Sequence, residues 1–138
     1  MTDSVFPIVN CREIAPVRAF YERVFGATLA YRFPEDGEPV YLTLRIGTGQ
    51  VAIGLGTEPA LYGEVPLPAT GHAVDLCLYV DDLAAAVTAA GTSVVTAPAD
   101  MPWGERVAYF RDPAGTMLLV IQAGARPPSS TADGSPAR

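Results

Sequence analysis

Two stretches of the sequence share one plan: Tyr41–Gly54 reads YLTLRIGTGQVAIG and Val107–Val120 reads VAYFRDPAGTMLLV. Each has an apolar run, a short segment rich in glycine or proline, and a second apolar run, which is the pattern of a β-hairpin. At an offset of 66 residues the two stretches align from end to end, with Arg45 on Arg111. The chain therefore contains an internal repeat, and each copy carries a hairpin.

The residues before each hairpin repeat as well. Each half begins with a strand-like run, continues with a helical pattern that stops at a glycine, and adds a further strand before its hairpin. The predicted strands are Val5–Cys11, Thr28–Phe33, Pro39–Ile46, Gln50–Leu55, Ala73–Val80, Ser93–Ala97, Arg106–Arg111 and Thr116–Gln122. The predicted helices are Ile14–Phe25 and Leu83–Ala90. At the start of the halves, Phe6 aligns with Asp75 at an offset of 69 residues.

This repeat predicts an α+β fold made of two tandem βαβββ units. One helix cannot cover both faces of a sheet, so we expect the helices on the outer face and a curled mixed sheet around a cavity on the other. We place the units at about residues 4–55 and 73–122, with a linker at 56–72, as one domain over residues 1–122. Residues 123–138 contain no Leu, Ile, Val or aromatic side chain, which predicts a disordered tail.

The charge balance excludes several classes of protein. The 138 residues include 15 acidic and 9 basic side chains, all of the latter Arg, for a net charge of −6. A nucleic-acid partner is not expected, because such binding needs clustered cations. No apolar run reaches the roughly 20 residues of a membrane span, and the first residues lack the basic start of a signal peptide, so we expect a cytoplasmic protein with no membrane partner. Without lysine, Schiff-base chemistry is impossible.

Four short motifs occur in a fixed order along this repeat. They are Phe20-Tyr21 with Phe25-Gly26, Val80-Asp81-Asp82-Leu83, Trp103-Gly104-Glu105-Arg106 and Asp112-Pro113-Ala114-Gly115. Together with the βαβββ plan, they resemble the vicinal-oxygen-chelate superfamily over roughly residues 4–122. That superfamily includes glyoxalase I, extradiol dioxygenases, fosfomycin-resistance enzymes and bleomycin-resistance proteins. Because these proteins differ in activity, the resemblance implies the fold and leaves the function open.

The metal site implied by the resemblance is not supported by the residues at its positions. Metal-dependent members use side chains of the first and last strand of each unit, and the matching positions here are Phe6, Ile53, Asp75 and Leu119. Only Asp75 has a donor atom, whereas a divalent ion needs about three or four. His72, the one imidazole, lies three residues before Asp75 and is expected to be solvated. We therefore expect neither a metal nor another cofactor.

Strand alternation predicts the residues that line the cavity. The predicted ligand-binding residues are Phe6, Ile8, Asn10, Ile53, Asp75, Tyr79, Trp103 and Leu119. Apolar walls with few polar groups are typical of a small-molecule site. The alternative is that these side chains fill a closed core.

Two of these residues have further interpretations. Trp103, on a loop with Pro102 and Gly104, could stack on a planar ligand, or it could form a lid or a dimer contact. Asp75, if buried, would have a raised pKa and could act as a general base or pair with a cationic ligand. Alternatively, Arg106 or Arg45 neutralises it.

Three hypotheses about function follow. The first is a metal-independent protein of the bleomycin-resistance type that binds a hydrophobic or aromatic, perhaps-cationic antibiotic-like molecule as a homodimer. The second is an enzyme: a glyoxalase-like lyase or isomerase or a dioxygenase with an atypical site, or a metal-free catalyst that uses Asp75 and Tyr79. The third is a structural or regulatory dimer whose core is filled.

The first hypothesis predicts that the protein retains no metal. After equilibration with excess Zn²⁺, Ni²⁺, Mn²⁺, Co²⁺ and, without oxygen, Fe²⁺, the desalted protein is expected to contain no bound ion by mass spectrometry, because a single carboxylate holds a divalent ion too weakly. Retention of about one ion per subunit would contradict the ligand assignment and favour the lyase or dioxygenase hypothesis.

Overall fold

A computed structural model of the chain describes residues 4–56 and 74–124. It divides into two compact units, Met1–Ala73 and Val74–Arg138. Nearly all of the predicted linker at 56–72, including His72, and most of the predicted tail at 123–138 lie outside the described residues. In the part of the chain that is described, no helix is long and apolar enough to cross a membrane.

The first unit is a four-stranded sheet with one helix. Its strands are β1 (Ile8–Asn10), β2 (Thr28–Phe33), β3 (Tyr41–Ile46) and β4 (Gly49–Gly54), and its helix is α1 (Ile14–Phe25). The strand order is β1-β4-β3-β2. β1 runs parallel to β4, and the other neighbours are antiparallel.

Apolar spacing and a glycine determine the extent of α1. The buried positions Val17, Phe20, Tyr21 and Val24 recur at intervals of three or four residues, so they share one face of the helix. The rings of Phe20 and Tyr21 meet edge to face, with centroids 5.3 Å apart. The helix ends at Gly26, whose φ of 67° is left-handed and therefore suits glycine.

The second unit repeats this plan. Its strands are β5 (Asp75–Val80), β6 (Val94–Asp100), β7 (Arg106–Arg111) and β8 (Met117–Gln122), and its helix is α2 (Leu83–Ala90), followed by a 3₁₀ turn at Gly91–Ser93. The order is β5-β8-β7-β6, the same as in the first unit, and β5 runs parallel to β8. The predicted α+β fold of two tandem βαβββ units is confirmed, and each sheet is open rather than closed into a barrel.

Two polar side chains hold the start of α2 against the sheet. Asp82 caps the helix by accepting a hydrogen bond from the backbone N–H of Ala85 at 3.0 Å. The Gln122 side chain, at the end of β8, accepts from the N–H of Leu83 at 2.9 Å and donates to the carbonyl of Asp81 at 2.7 Å. The turn between β5 and α2 is therefore fixed to the end of the neighbouring strand.

Strand pairing corrects the alignment of the two last strands. In the second unit Cys77 pairs with Leu119, whereas in the first unit its counterpart Ile8 pairs with Ala52. Directly paired residues share a face of the sheet. Ile53 pairs with Val9 and is fully buried on the opposite face from Ile8. The prediction that Ile53 lines the same surface as Ile8 is therefore wrong, and Ala52 occupies that position.

The physical cause is the length of the hairpin loop. In the first hairpin, the pair Ile46 and Gly49 encloses two residues. In the second, Asp112 donates its N–H to the carbonyl of Thr116 at 3.0 Å, and this pair encloses three residues. The side chain of Asp112 is buried and stabilises the longer loop by accepting from the N–H groups of Ala114 and Thr116 at 2.9 and 2.8 Å. One extra residue shifts the offset of the last strand from 66 to 67, which exchanges its two faces.

Candidate functional site

The second sheet has one face that does not pack against α2, which we term its helix-free face. Asp75, Cys77 and Tyr79 alternate along β5 and are all exposed, whereas the residues between them are partly buried. Leu119 pairs with Cys77 and so lies on the same face. The predicted placement of Asp75, Tyr79 and Leu119 on one face of this sheet therefore agrees with the register.

An apolar patch occupies the middle of this helix-free face. Its buried members are Val107, Leu119 and Ile121, and the partly buried Met101 and Tyr109 pack against them. Ile121 pairs with Tyr79 on one side and with Val107 on the other. The ring of Tyr79 consequently lies at the border of the patch, with 43% of the residue exposed.

A buried carboxylate joins the two aromatic residues next to this patch. The Tyr79 hydroxyl donates to Glu105 Oε2 at 2.8 Å, and the Trp103 indole Nε1 donates to Glu105 Oε1 at 2.8 Å. Glu105 is only 1% exposed, whereas Tyr79 is exposed and Trp103 is partly exposed. We call these three residues the Glu105 cluster.

The turn between β6 and β7 positions the cluster. The N–H of Met101 donates to the carbonyl of Glu105 at 2.8 Å, and the N–H of Gly104 donates to the carbonyl of Met101 at 2.9 Å. Gly104 has a φ of 99°, which few other residues adopt. This tight turn holds Trp103 two residues before Glu105, and alternation places Glu105 on the same face as Val107.

Asp75 does not have the environment that the sequence predicts. It is solvent-exposed, so the desolvation needed for a buried general base is missing. It is also four residues from Tyr79 along the same strand, a separation of roughly 13 Å, so the two side chains cannot form one acid–base pair. Arg106, one of the two arginines expected to neutralise Asp75, instead pairs with Asp100 at 2.9 Å. The carboxylate that contacts Tyr79 is Glu105.

The remaining predicted residues lie in the first unit. Ile8 and Asn10 alternate with the buried Val9 and are exposed, and Phe6, two residues before Ile8, is 37% exposed. Exposed aromatic side chains also occur on β2, where the ring of Tyr31 contacts that of Tyr41 edge to face at 6.3 Å. The structure thus brings Tyr79 and Trp103 together through Glu105, and it places Ile53 in the core of the first unit.

Glu105 is the functional residue that the sequence analysis missed. It is part of the Trp103-Gly104-Glu105-Arg106 motif, but it was used there only for the family resemblance. The signal that could have identified it is its position two residues before Val107, which places an acidic side chain on the apolar face of β7. A carboxylate at such a position needs hydrogen-bond donors nearby.

Comparison with protein families agrees with this architecture. The model of the Glyoxalase/Bleomycin resistance protein/Dioxygenase superfamily matches residues 5–120. This chain belongs to that superfamily. The resemblance inferred from the sequence motifs is therefore confirmed.

Several solved structures are similar to this superfamily member. TioX from Micromonospora sp. ML1 is 26% identical, with a TM-score of 0.68, and the match covers 88% of this chain and 98% of that chain. A bleomycin resistance determinant encoded on the transposon Tn5 is 26% identical, with a TM-score of 0.61, and the match covers 89% and 99%. A superfamily member from Sphaerobacter thermophilus DSM 20745, at 22% identity, a TM-score of 0.64 and coverage of 88% and 98%, shares the fold. No curated protein matches the chain.

The residues of this superfamily member do not fit the metal ion that many relatives hold. After correction of the register, the four matching positions are Phe6, Ala52, Asp75 and Leu119. Asp75 remains the one side chain among them with a donor atom. Within residues 4–56 and 74–124, no group of three or more His, Cys, Asp or Glu side chains is arranged to hold an ion.

The geometry of the Glu105 cluster predicts a difference between two tyrosines. Tyr79→Phe removes a donor from a buried carboxylate and should lower the free energy of unfolding by about 1–3 kcal/mol. Tyr31→Phe is the matched control, because Tyr31 is 53% exposed and its hydroxyl should contribute within about 0.5 kcal/mol. Urea denaturation of both variants measures the difference. Equal small effects would show that the Tyr79 hydroxyl does not stabilise Glu105.

Proposed function

We propose that this superfamily member is a metal-independent binding protein for a planar aromatic small molecule. The observation that carries the proposal is the Glu105 cluster: two partly exposed aromatic rings are fixed by one buried carboxylate beside an apolar patch. Apolar walls that supply affinity, with a few placed polar groups that supply orientation, are the usual composition of a small-molecule site.

The energetics of Glu105 support a role beyond filling a core. Burying a carboxylate is unfavourable unless its oxygens are hydrogen-bonded, and an apolar side chain would pack in the same space without that penalty. Here both oxygens accept bonds from residues whose rings remain partly exposed. Fixing two aromatic rings in advance reduces the entropy lost when a ligand binds to them.

The comparisons support the same class of function. One similar structure is a bleomycin resistance determinant at 26% identity, and this similarity extends over nearly the full length of that chain. The acidic net charge of −6 favours a cationic ligand over an anionic one. The lack of a donor set at the superfamily's metal positions favours binding without a metal ion.

We also propose that the protein acts as a homodimer in the cytoplasm. Members of this superfamily commonly pair, and the first sheet leaves Ile8 and Phe33, 52% and 56% exposed, available for burial against a second copy. Light scattering at micromolar concentration should give twice the mass of one chain. A mass equal to that of one chain would contradict the dimer.

A thermal-shift screen tests the binding proposal. Planar aromatic compounds, including cationic antibiotics, are added in the presence of a chelator, and a true ligand at about 100 times its Kd should stabilise the protein by about 2.7 kcal/mol. Trp103→Ala should weaken binding about tenfold or more through the loss of stacking, and Trp103→Phe, which retains a flat ring, should weaken it less. Saturated amines of similar size serve as control compounds.

The screen also separates the proposal from its alternatives. If no aromatic compound shifts the melting temperature, the binding proposal is wrong and a structural role gains support. If binding appears only when a divalent ion replaces the chelator, the metal-independent part is wrong.

A further inference from the structure

We propose that Glu105 is a positioning residue that makes the site an acceptor of hydrogen bonds, so that it selects planar guests that are cationic or carry N–H groups. This inference rests on the proposed function and specifies the chemistry of its ligand. It assigns to Glu105 a role in selectivity that it exerts through Tyr79 and Trp103.

Burial prevents Glu105 itself from contacting a guest. The residue is 1% exposed, and both of its carboxylate oxygens accept bonds from neighbouring rings at 2.8 Å. The surfaces that a guest can reach are those of Tyr79 and Trp103. Any influence of the carboxylate on the guest must therefore act through the orientation, the protons and the electron density of these two rings.

The hydrogen-bond donors of the cluster are already used. An indole has a single N–H, which can only donate, and that of Trp103 is directed at Glu105 Oε1. A phenol has a single proton, and that of Tyr79 is directed at Glu105 Oε2. A further hydrogen bond at the Tyr79 oxygen can therefore only be accepted from its partner. Neither ring has a proton left to donate to a guest.

The charge of the cluster acts in the same direction. A carboxylate held beneath two aromatic rings places negative charge next to ring faces that already attract cations. Because the carboxylate is shielded from water, its field is weakened less than that of a surface acid. The patch formed by Val107, Leu119 and Ile121 contains no donor on its side chains.

The arginines of this sheet do not reverse that polarity. Arg106 alternates with Glu105 and so points to the other face of β7, where it pairs with Asp100. Arg111 shares the face of Glu105 but lies six residues away, roughly 20 Å along the strand. Its guanidinium donates to the carbonyl of Gly115 at 2.8 Å.

The test compares two planar tricyclic probes of opposite charge. Proflavine is cationic at neutral pH and carries N–H donors, whereas anthracene-2-carboxylate is an anion with acceptors only. Calorimetric titration in about 0.15 M salt, where long-range effects of net charge are screened, gives both Kd values for the full chain. The wild-type protein is expected to bind proflavine at least about tenfold more tightly.

Glu105→Gln separates charge from geometry. The amide oxygen can still accept from Trp103, while the amide N–H₂ donates to the Tyr79 oxygen and releases the phenolic proton toward the guest. The preference for proflavine should fall about tenfold, with the affinity for the anion unchanged or increased. The control Glu13→Gln removes the same charge from an exposed helix cap that makes no side-chain capping bond, and it should keep the wild-type preference.

Trp103 gives a second measurement that needs no ligand. It is the only tryptophan in the chain, so time-resolved fluorescence anisotropy reports on its motion alone. Glu105→Gln should keep the indole immobile, and Glu105→Ala should add a fast local depolarisation. An equally immobile indole in the alanine variant would contradict the positioning role.

The outcomes distinguish this inference from the proposed function. If the wild-type protein binds both probes equally, or if Glu105→Gln keeps the preference, the selectivity assigned to Glu105 is wrong and the binding function stands. If neither probe nor any compound in the thermal-shift screen binds, the proposed function and the selectivity both fail. A preference that Glu13→Gln abolishes as well would assign the effect to net charge and overturn the inference.

Discussion

Each unit of this protein has one helix and a sheet with two faces, so each sheet has one face that its own helix does not cover. Apolar side chains on such a face are exposed to water unless a ligand, another element or another chain covers them. In the second unit, this face holds the apolar patch and the Glu105 cluster. The constraint that defines the fold thus also leaves a surface available for binding.

A single buried acid organises that surface. Glu105 lies at the start of β7, where the turn from β6 brings Trp103 back toward the sheet, and its two oxygens connect this turn to Tyr79 on β5. The acid therefore links strands that are not neighbours in the sheet order β5-β8-β7-β6. Removing it would disturb the turn and both rings, whereas removing either ring alone leaves the other bond in place.

The sequence predicted the elements well because their signals are local. Both helices have the predicted bounds, since apolar spacing defines α1 and a glycine follows each helix. The face of β5 was also predictable, because Asp75, Cys77 and Tyr79 alternate with Leu76, Leu78 and Val80.

The faces of the last strands were not predictable. Val51–Gly54 is buried throughout, as is Met117–Ile121, so neither strand alternates between polar and apolar residues. The error at Ile53 followed directly, because the alignment then rested on one offset across a loop of unequal length. Glu105 was missed for another reason: its importance depends on Tyr79, which is distant in the sequence and close only after folding.

The extra residue in the second hairpin has a consequence for how a duplicated unit can diverge. Insertion of one residue in a loop exchanges the sides of a whole strand, and a strand that is apolar on both sides tolerates the exchange without loss of its core. Where the first copy presents the small Ala52, the second presents the larger Leu119. A change in loop parity, without any substitution in the strand, is therefore enough to give two halves of common origin surfaces of different depth and shape.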